Sequence, residues 1–140
     1  MAENPYDRYK TDVINTATPD QLVLMLFEAA LRAAQECQDA IGREDWIQTV
    51  EHGRQVQDIM AYLADTVNLE HPHGEQVKQL YLYCWRNAVA AQIQHDRKVL
   101  EPVKTVLNNL ISGLRSFLSH SQTPPNNEES KEHLSINFAG

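Results

Sequence analysis

Little in this chain speaks for catalysis, for a membrane or for a nucleic acid. Its two cysteines, Cys37 and Cys84, lie far apart and form no Cys-x-x-Cys pair. Each reads as a small apolar core residue rather than half of a disulfide. No apolar run approaches the length of a membrane span, and residues 1–10 lack the apolar stretch of a signal peptide. Both absences point to the cytoplasm. Basic residues are scarce: 12 Lys and Arg face 19 Asp and Glu, a net charge of −7. Phosphate binding needs a basic footprint, so no nucleic-acid partner is expected, and the acidity reads first as solubility.

Catalytic signatures are missing as well. There is no Gly-x-x-x-x-Gly-Lys phosphate loop and no Gly-x-Ser-x-Gly elbow. A di-iron bundle needs repeated Glu-x-x-His pairs on inward helix faces. Glu70-x-x-His73 is the single such spacing, and it spans a proline-containing turn. His52 and His95 stand alone on helical stretches. The chain is therefore expected to be non-enzymatic, with no cofactor and no metal.

What is present is helical periodicity, and no Val- and Thr-rich alternation asks for a sheet. Thr18-Pro19-Asp20 supplies an N-cap, a first-turn proline and an acid at the positive helix end. Leu22, Leu26, Ala29, Ala33, Cys37 and Ile41 then recur at helical spacing, and Gly42 offers a stop. A second helix is predicted from about Asp45, with Trp46, Val50, Gly53, Met60 and Leu63 on one face and Val56 and Ile59 beside them. His71-Pro72-His73-Gly74 is a turn signal. The fourth helix carries Val99, Val103, Leu107, Ile111 and Leu114, and Pro102 requires it either to begin near Glu101 or to kink there.

The third helix, over about 75–95, is not simply amphipathic. Val77, Leu80, Tyr81, Cys84, Ala88 and Ala91 make one apolar stripe. Leu82, Trp85, Val89 and Ile93 make a second, displaced by about a third of a turn. A single core contact does not need both. Tyrosines recur at Tyr6, Tyr9, Tyr62, Tyr81 and Tyr83, and aromatics of this kind favour interfaces. The surplus suits a groove for a partner's amphipathic helix, or a homodimer or thicker core built on the third helix. The organisation is thus an all-α, antiparallel four-helix bundle over 19–118, with an N-terminal arm over 1–18 and a flexible polar linker and tail over 119–140. Within that tail Leu134, Ile136 and Phe138 alternate with polar residues.

Three segments resemble one family. Asn4-Pro5-Tyr6-x-x-Tyr9 followed by Thr16-Ala17-Thr18-Pro19-Asp20-Gln21-Leu22-Val23-Leu24-Met25-Leu26-Phe27 is similar to the opening signature of the flagellin export chaperones of flagellar type III secretion, the FliS family. Gln57-Asp58-Ile59-Met60 resembles the middle of that family's second helix. Leu80-Tyr81-x-Tyr83, with Arg86, Ala91, Ile93 and Asp96, resembles its third. Departures fall at Leu82, where the family usually has an acid, at Asn87, where an arginine is common, and at Gln92, which replaces an asparagine.

The resemblance implies a bundle that binds the disordered C-terminal segment of flagellin, keeps it unpolymerised and supports its export. It further implies that the arm, with Tyr6 and Tyr9, covers part of the groove and docks to an export-gate component. Whether a co-chaperone or an anti-assembly factor also binds is left open. The candidate client-binding residues are Tyr6 and Tyr9, Ile59 and Leu63 on the second helix, and Leu82, Tyr83, Trp85, Val89 and Ile93 on the third.

Overall fold

The computed structural model describes residues 17–120. Most of the expected arm, with Tyr6 and Tyr9, and most of the tail, with Leu134, Ile136 and Phe138, lie outside the described residues. The described chain is all-α: α1 (Pro19–Gly42), α2 (Trp46–Thr66), α3 (Gly74–Gln94), a 3-10 turn (Arg97–Leu100) and α4 (Glu101–His120).

Helix α1 starts where the Thr18 cap predicts. Thr18 Oγ1 accepts from the Gln21 backbone N–H at 3.1 Å, and Gln21 Oε1 accepts from the Thr18 N–H at 2.8 Å, a reciprocal capping box. At the other end Gly42 remains helical, and it is Glu44 that takes the left-handed conformation, with φ of 57°. That turn brings the Asp45 N–H to the Ala40 carbonyl at 2.9 Å, while the Asp45 carboxylate caps α2 through the Gln48 N–H at 3.1 Å. Before α3, Gly74 has no substitute, because a Cβ there would run into the Asn68 carbonyl oxygen. Pro102 sits in the first turn of α4 and kinks nothing; the helix begins at Glu101.

Cross-links between helices fix the antiparallel order. Glu28 and Gln35 on α1 reach Arg115 and Lys104 on α4, so α4 runs back along α1. Gln57 and Trp46 on α2 meet Gln92 of α3 and His95 just past its end in the same reversed sense. Around the bundle the packed neighbours are α3–α2, α2–α1 and α1–α4, and the lighter α3–α4 seam is bridged by the 3-10 turn. Two polar side chains hold that turn. Gln38 on α1, almost wholly buried, donates to the Arg97 carbonyl at 2.9 Å and to Glu101 Oε2 at 2.7 Å, and accepts from Lys104 at 2.9 Å. These bonds, Gln38 first and then Lys104, hold the Glu101 carboxyl below its ordinary pKa. Asn87 on α3 donates to the Val99 carbonyl at 3.0 Å.

The core runs the length of α1. Leu26, Phe27, Ala29, Ala30, Ala33, Ala34 and Cys37 are all buried, against Val56, Ile59, Met60 and Leu63 of α2, Tyr81, Cys84 and Ala88 of α3, and Leu107, Ile111 and Leu114 of α4.

Candidate functional site

On α3 the two stripes separate by burial. Tyr81, Cys84, Ala88 and Ala91 of the first stripe are fully covered, whereas Val77 is half-buried and Leu80 exposed at the helix start. The second stripe is left partly open. Leu82 and Val89 are half-buried, Trp85 is 37% exposed and Ile93 is 73% exposed. At the helical advance per residue, Lys78, Leu82, Trp85, Arg86, Val89 and Ile93 fall within an arc of about 100°. This face is therefore an apolar strip about four turns long with two cations on it, and neither Lys78 nor Arg86 forms an ion pair among the described residues. Tyr83, also exposed, lies beside the strip rather than on it.

Two candidates from the sequence are not on any surface. Ile59 and Leu63 are each 1% exposed, because the inner line of α2 runs through Thr49, Gly53, Val56, Met60 and Leu63 toward α1 and α3. They pack the core and present nothing to a partner in this conformation. Tyr81 likewise belongs to the core: it packs on Phe27 with ring centroids 6.2 Å apart. Its hydroxyl finds no hydrogen-bond partner among the described residues, and burial, with Cys84 nearby, raises the phenol well above its usual range.

Other residues moved the opposite way. Trp46 and Val50, grouped by the sequence pattern with Met60 and Leu63, are exposed, as is Ile47, whereas Met60 and Leu63 are buried. The Cys37 thiol hydrogen-bonds to the Thr49 carbonyl at 3.5 Å, and the Thr49 hydroxyl bonds to the Asp45 carbonyl at 2.8 Å. Thr49 thereby takes the inward position, and Val50, about 100° further round, turns outward. Trp46 lies flat on His95, centroids 4.0 Å apart, at the end where α3 finishes. Gln92 joins the two helices there. Its Nε2 donates to the Val50 carbonyl at 2.6 Å and its Oε1 accepts from Gln57 Nε2 at 2.7 Å, over the notch at Gly53. Trp46, Val50 and Ile93 thus extend the α3 strip onto the first turns of α2. The sequence signal for this was the polar Thr49 at the true inward position, one residue from the apolar Val50.

Among the described residues, no group of three His, Cys, Asp or Glu is placed to hold a metal, and no helix is long and apolar enough to cross a membrane. Both thiols are free and buried; desolvation pushes Cys37 up to about 11 and Cys84 up to about 12, so neither is a thiolate at neutral pH. The shallow cleft between α1 and α4 is lined by Glu28, Arg32, Asn108 and Arg115 among others and is closed across by the Glu28–Arg115 ion pair. Among the described residues, a closed all-α core beside a partly open apolar strip defines the class of antiparallel helical bundles. The family model described as flagellar protein FliS matches residues 2–121. The flagellar secretion chaperone FliS of Bacillus subtilis (strain 168) is 31% identical over 102 residues, covering 73% of this chain and 77% of that protein. The chain belongs to the FliS family.

Proposed function

We propose that this chain is a cytosolic flagellar secretion chaperone whose open α3 strip binds the disordered C-terminal segment of flagellin. The client's apolar residues, which otherwise drive filament assembly, are covered there until export. Leu82, Trp85, Val89 and Ile93 form the contact line, Tyr83 flanks it, and Trp46 and Val50 extend it. Tyr6 and Tyr9 of the arm cover part of the face and dock to an export-gate component. A co-chaperone or an anti-assembly factor would use surface left free by the client. The observation that carries this reading is the second apolar stripe of α3, partly open among the described residues beside a core against which only its Leu82 packs. A client that orders on binding loses conformational entropy, so extended apolar contact is compatible with release.

Trp85 tests it. Trp85→Ala should weaken binding of a flagellin C-terminal peptide at least tenfold, about 1.4 kcal/mol, by calorimetric titration. Its cost to stability should stay below the roughly 3–5 kcal/mol of a fully buried tryptophan, because over a third of the side chain is already in water. Unchanged peptide affinity would remove Trp85 from the site. A homodimer through α3, the competing use of the same face, would instead double the mass seen by light scattering and resist peptide addition.

A further inference from the structure

We infer that the C-terminal tail of this same chain is an intramolecular competitor for the α3 strip, with Leu134, Ile136 and Phe138 as the competing residues. The inference rests on the strip being the client site and adds its regulation. It starts from where α4 ends. The antiparallel order puts His120 at the end of the bundle where α3 begins, the same end as Lys78 and Leu82, the first residues of the strip. Twenty residues follow, and 13 of them separate His120 from Leu134. Extended, those 13 reach about 43–47 Å. The 21 residues of α3 span about 32 Å. Every position of the strip is within reach.

Chemistry matches as well as length. Leu134, Ile136 and Phe138 alternate with Ser135 and Asn137, so an extended backbone presents all three apolar side chains on one side. Just before them stand Glu128, Glu129 and Glu132, with Lys131 the single cation of the segment. The strip offers the complement: apolar Leu82, Trp85, Val89 and Ile93, with Lys78 and Arg86 on the same arc. The described bundle has no sheet edge, so docking gains side-chain contacts and no strand ladder, which keeps the intrinsic affinity weak. Weakness suits the role. A tether of this length supplies an effective concentration of about 1 mM, so a tail with an intrinsic Kd of about 0.1–0.5 mM is docked about 70–90% of the time. It lowers the apparent client affinity about three- to tenfold and still yields to a client that fills the whole strip.

The test uses the full-length chain in a Trp46→Phe background, which leaves Trp85 as the sole tryptophan. In that background Ile136→Asp with Phe138→Asp is compared with the unsubstituted tail. Acrylamide quenching of Trp85 should rise about twofold when the tail is disabled, and a flagellin C-terminal peptide should bind about three- to tenfold more tightly. Equal quenching and equal affinity in the two proteins overturn the inference and leave the chaperone reading intact. A peptide that also fails to bind the chain with Trp46 intact counts against the chaperone reading, and the quenching comparison still decides the tail. A rise in quenching that vanishes on dilution makes the contact one between two copies and overturns the intramolecular assignment. Quenching that responds to Tyr6→Ala with Tyr9→Ala, but not to the tail substitutions, gives the strip to the arm and likewise overturns it.

Discussion

Glycine in mid-helix ordinarily weakens a helix, and replacing Gly53 by alanine should gain about 0.8–1.0 kcal/mol of helix propensity. Here the sign should reverse. A Cβ on Gly53 would stand 2.6 Å from Cγ and 3.0 Å from Nε2 of Gln92, closer than non-bonded atoms tolerate. Gln92 must then swing out of the α2–α3 groove. In leaving, it gives up its 2.6 Å bond to the Val50 carbonyl and its 2.7 Å bond from Gln57. Each is worth about 0.5–1.5 kcal/mol, so the loss of about 1–3 exceeds the propensity gain. Gly53→Ala should therefore destabilise the bundle by about 1 kcal/mol, a fall in Tm of about 4–8 °C for a domain of roughly this size. With Gln92→Ala already in place the obstruction is gone, and the same Gly53→Ala change should stabilise by about 0.5–1 kcal/mol. Urea and thermal unfolding followed by circular dichroism on the four proteins of this cycle measure both numbers. A higher Tm for Gly53→Ala alone would show that Gln92 does not hold the notch, and would refute the reasoning.

The capping box at the start of α1 makes Thr18→Ala cost about 1 kcal/mol, read from the urea midpoint; no change would mean that the 3.1 Å bond from the Gln21 N–H to Thr18 Oγ1 is replaced by water without loss. The buried thiols set an alkaline limit. Their folded pKa values, about 11 for Cys37 and about 12 for Cys84, lie above the ordinary 9.0, so above pH 9 the folded state holds protons that the unfolded state releases. Their contribution to stability is thus complete below pH 9 and declines as pH rises from there through about 11 to 12; Cys37→Ala with Cys84→Ala should flatten that decline. In the native protein neither thiol should react with iodoacetamide at pH 8 faster than the bundle opens, a rate read by mass spectrometry with and without urea.

The fold was legible because its signals are local. Thr18, Asp45, the 71–74 turn and Pro102 each mark an element boundary through the chemistry of one or two residues, and the structure begins or ends helices at those places. Surface and core on α2 were less legible. Trp46, Val50, Gly53, Met60 and Leu63 fit a helical stripe, but so does the line through Thr49, Gly53, Val56 and Met60, which the structure buries. Hydropathy favours the first line, since it counts Thr49 as polar. It has no access to the Cys37 thiol and the Asp45 carbonyl, which together satisfy that threonine inside. Ile59 and Leu63, read from the sequence as client contacts, face α1 and α3 because α2 has neighbours on both sides. On α3 the two-stripe pattern was visible as a surplus. Which stripe stays open depends on where α2 and the 3-10 turn lie, a tertiary fact with no local signature.

The same packing explains how a chaperone can keep an apolar face in water and remain folded. Helix α1 is buried along nearly its whole length, and much of what it buries is small: Ala29, Ala30, Ala33, Ala34 and Ala40. Small residues let neighbouring helices approach closely, so large side chains from the other three, among them Met60, Tyr81, Leu107 and Leu114, meet over α1. The polar ties that close the bundle, Gln38 to the 3-10 turn and Asn87 to Val99, also lie away from the open strip. Folding free energy is thereby concentrated in a core to which the exposed Trp85 and Ile93 contribute little. Ile93, 73% exposed, lies outside the core, so its substitution should reach client affinity more directly than stability, while Leu82, half-buried against the core at the edge of the strip, should touch both. Asn87 and Gln92, the other two departures from the family pattern, sit differently. Each bridges α3 to another segment of backbone, at Val99 and at Val50, so exchanging either back should be felt first by the frame that holds the strip, and only through it by the client.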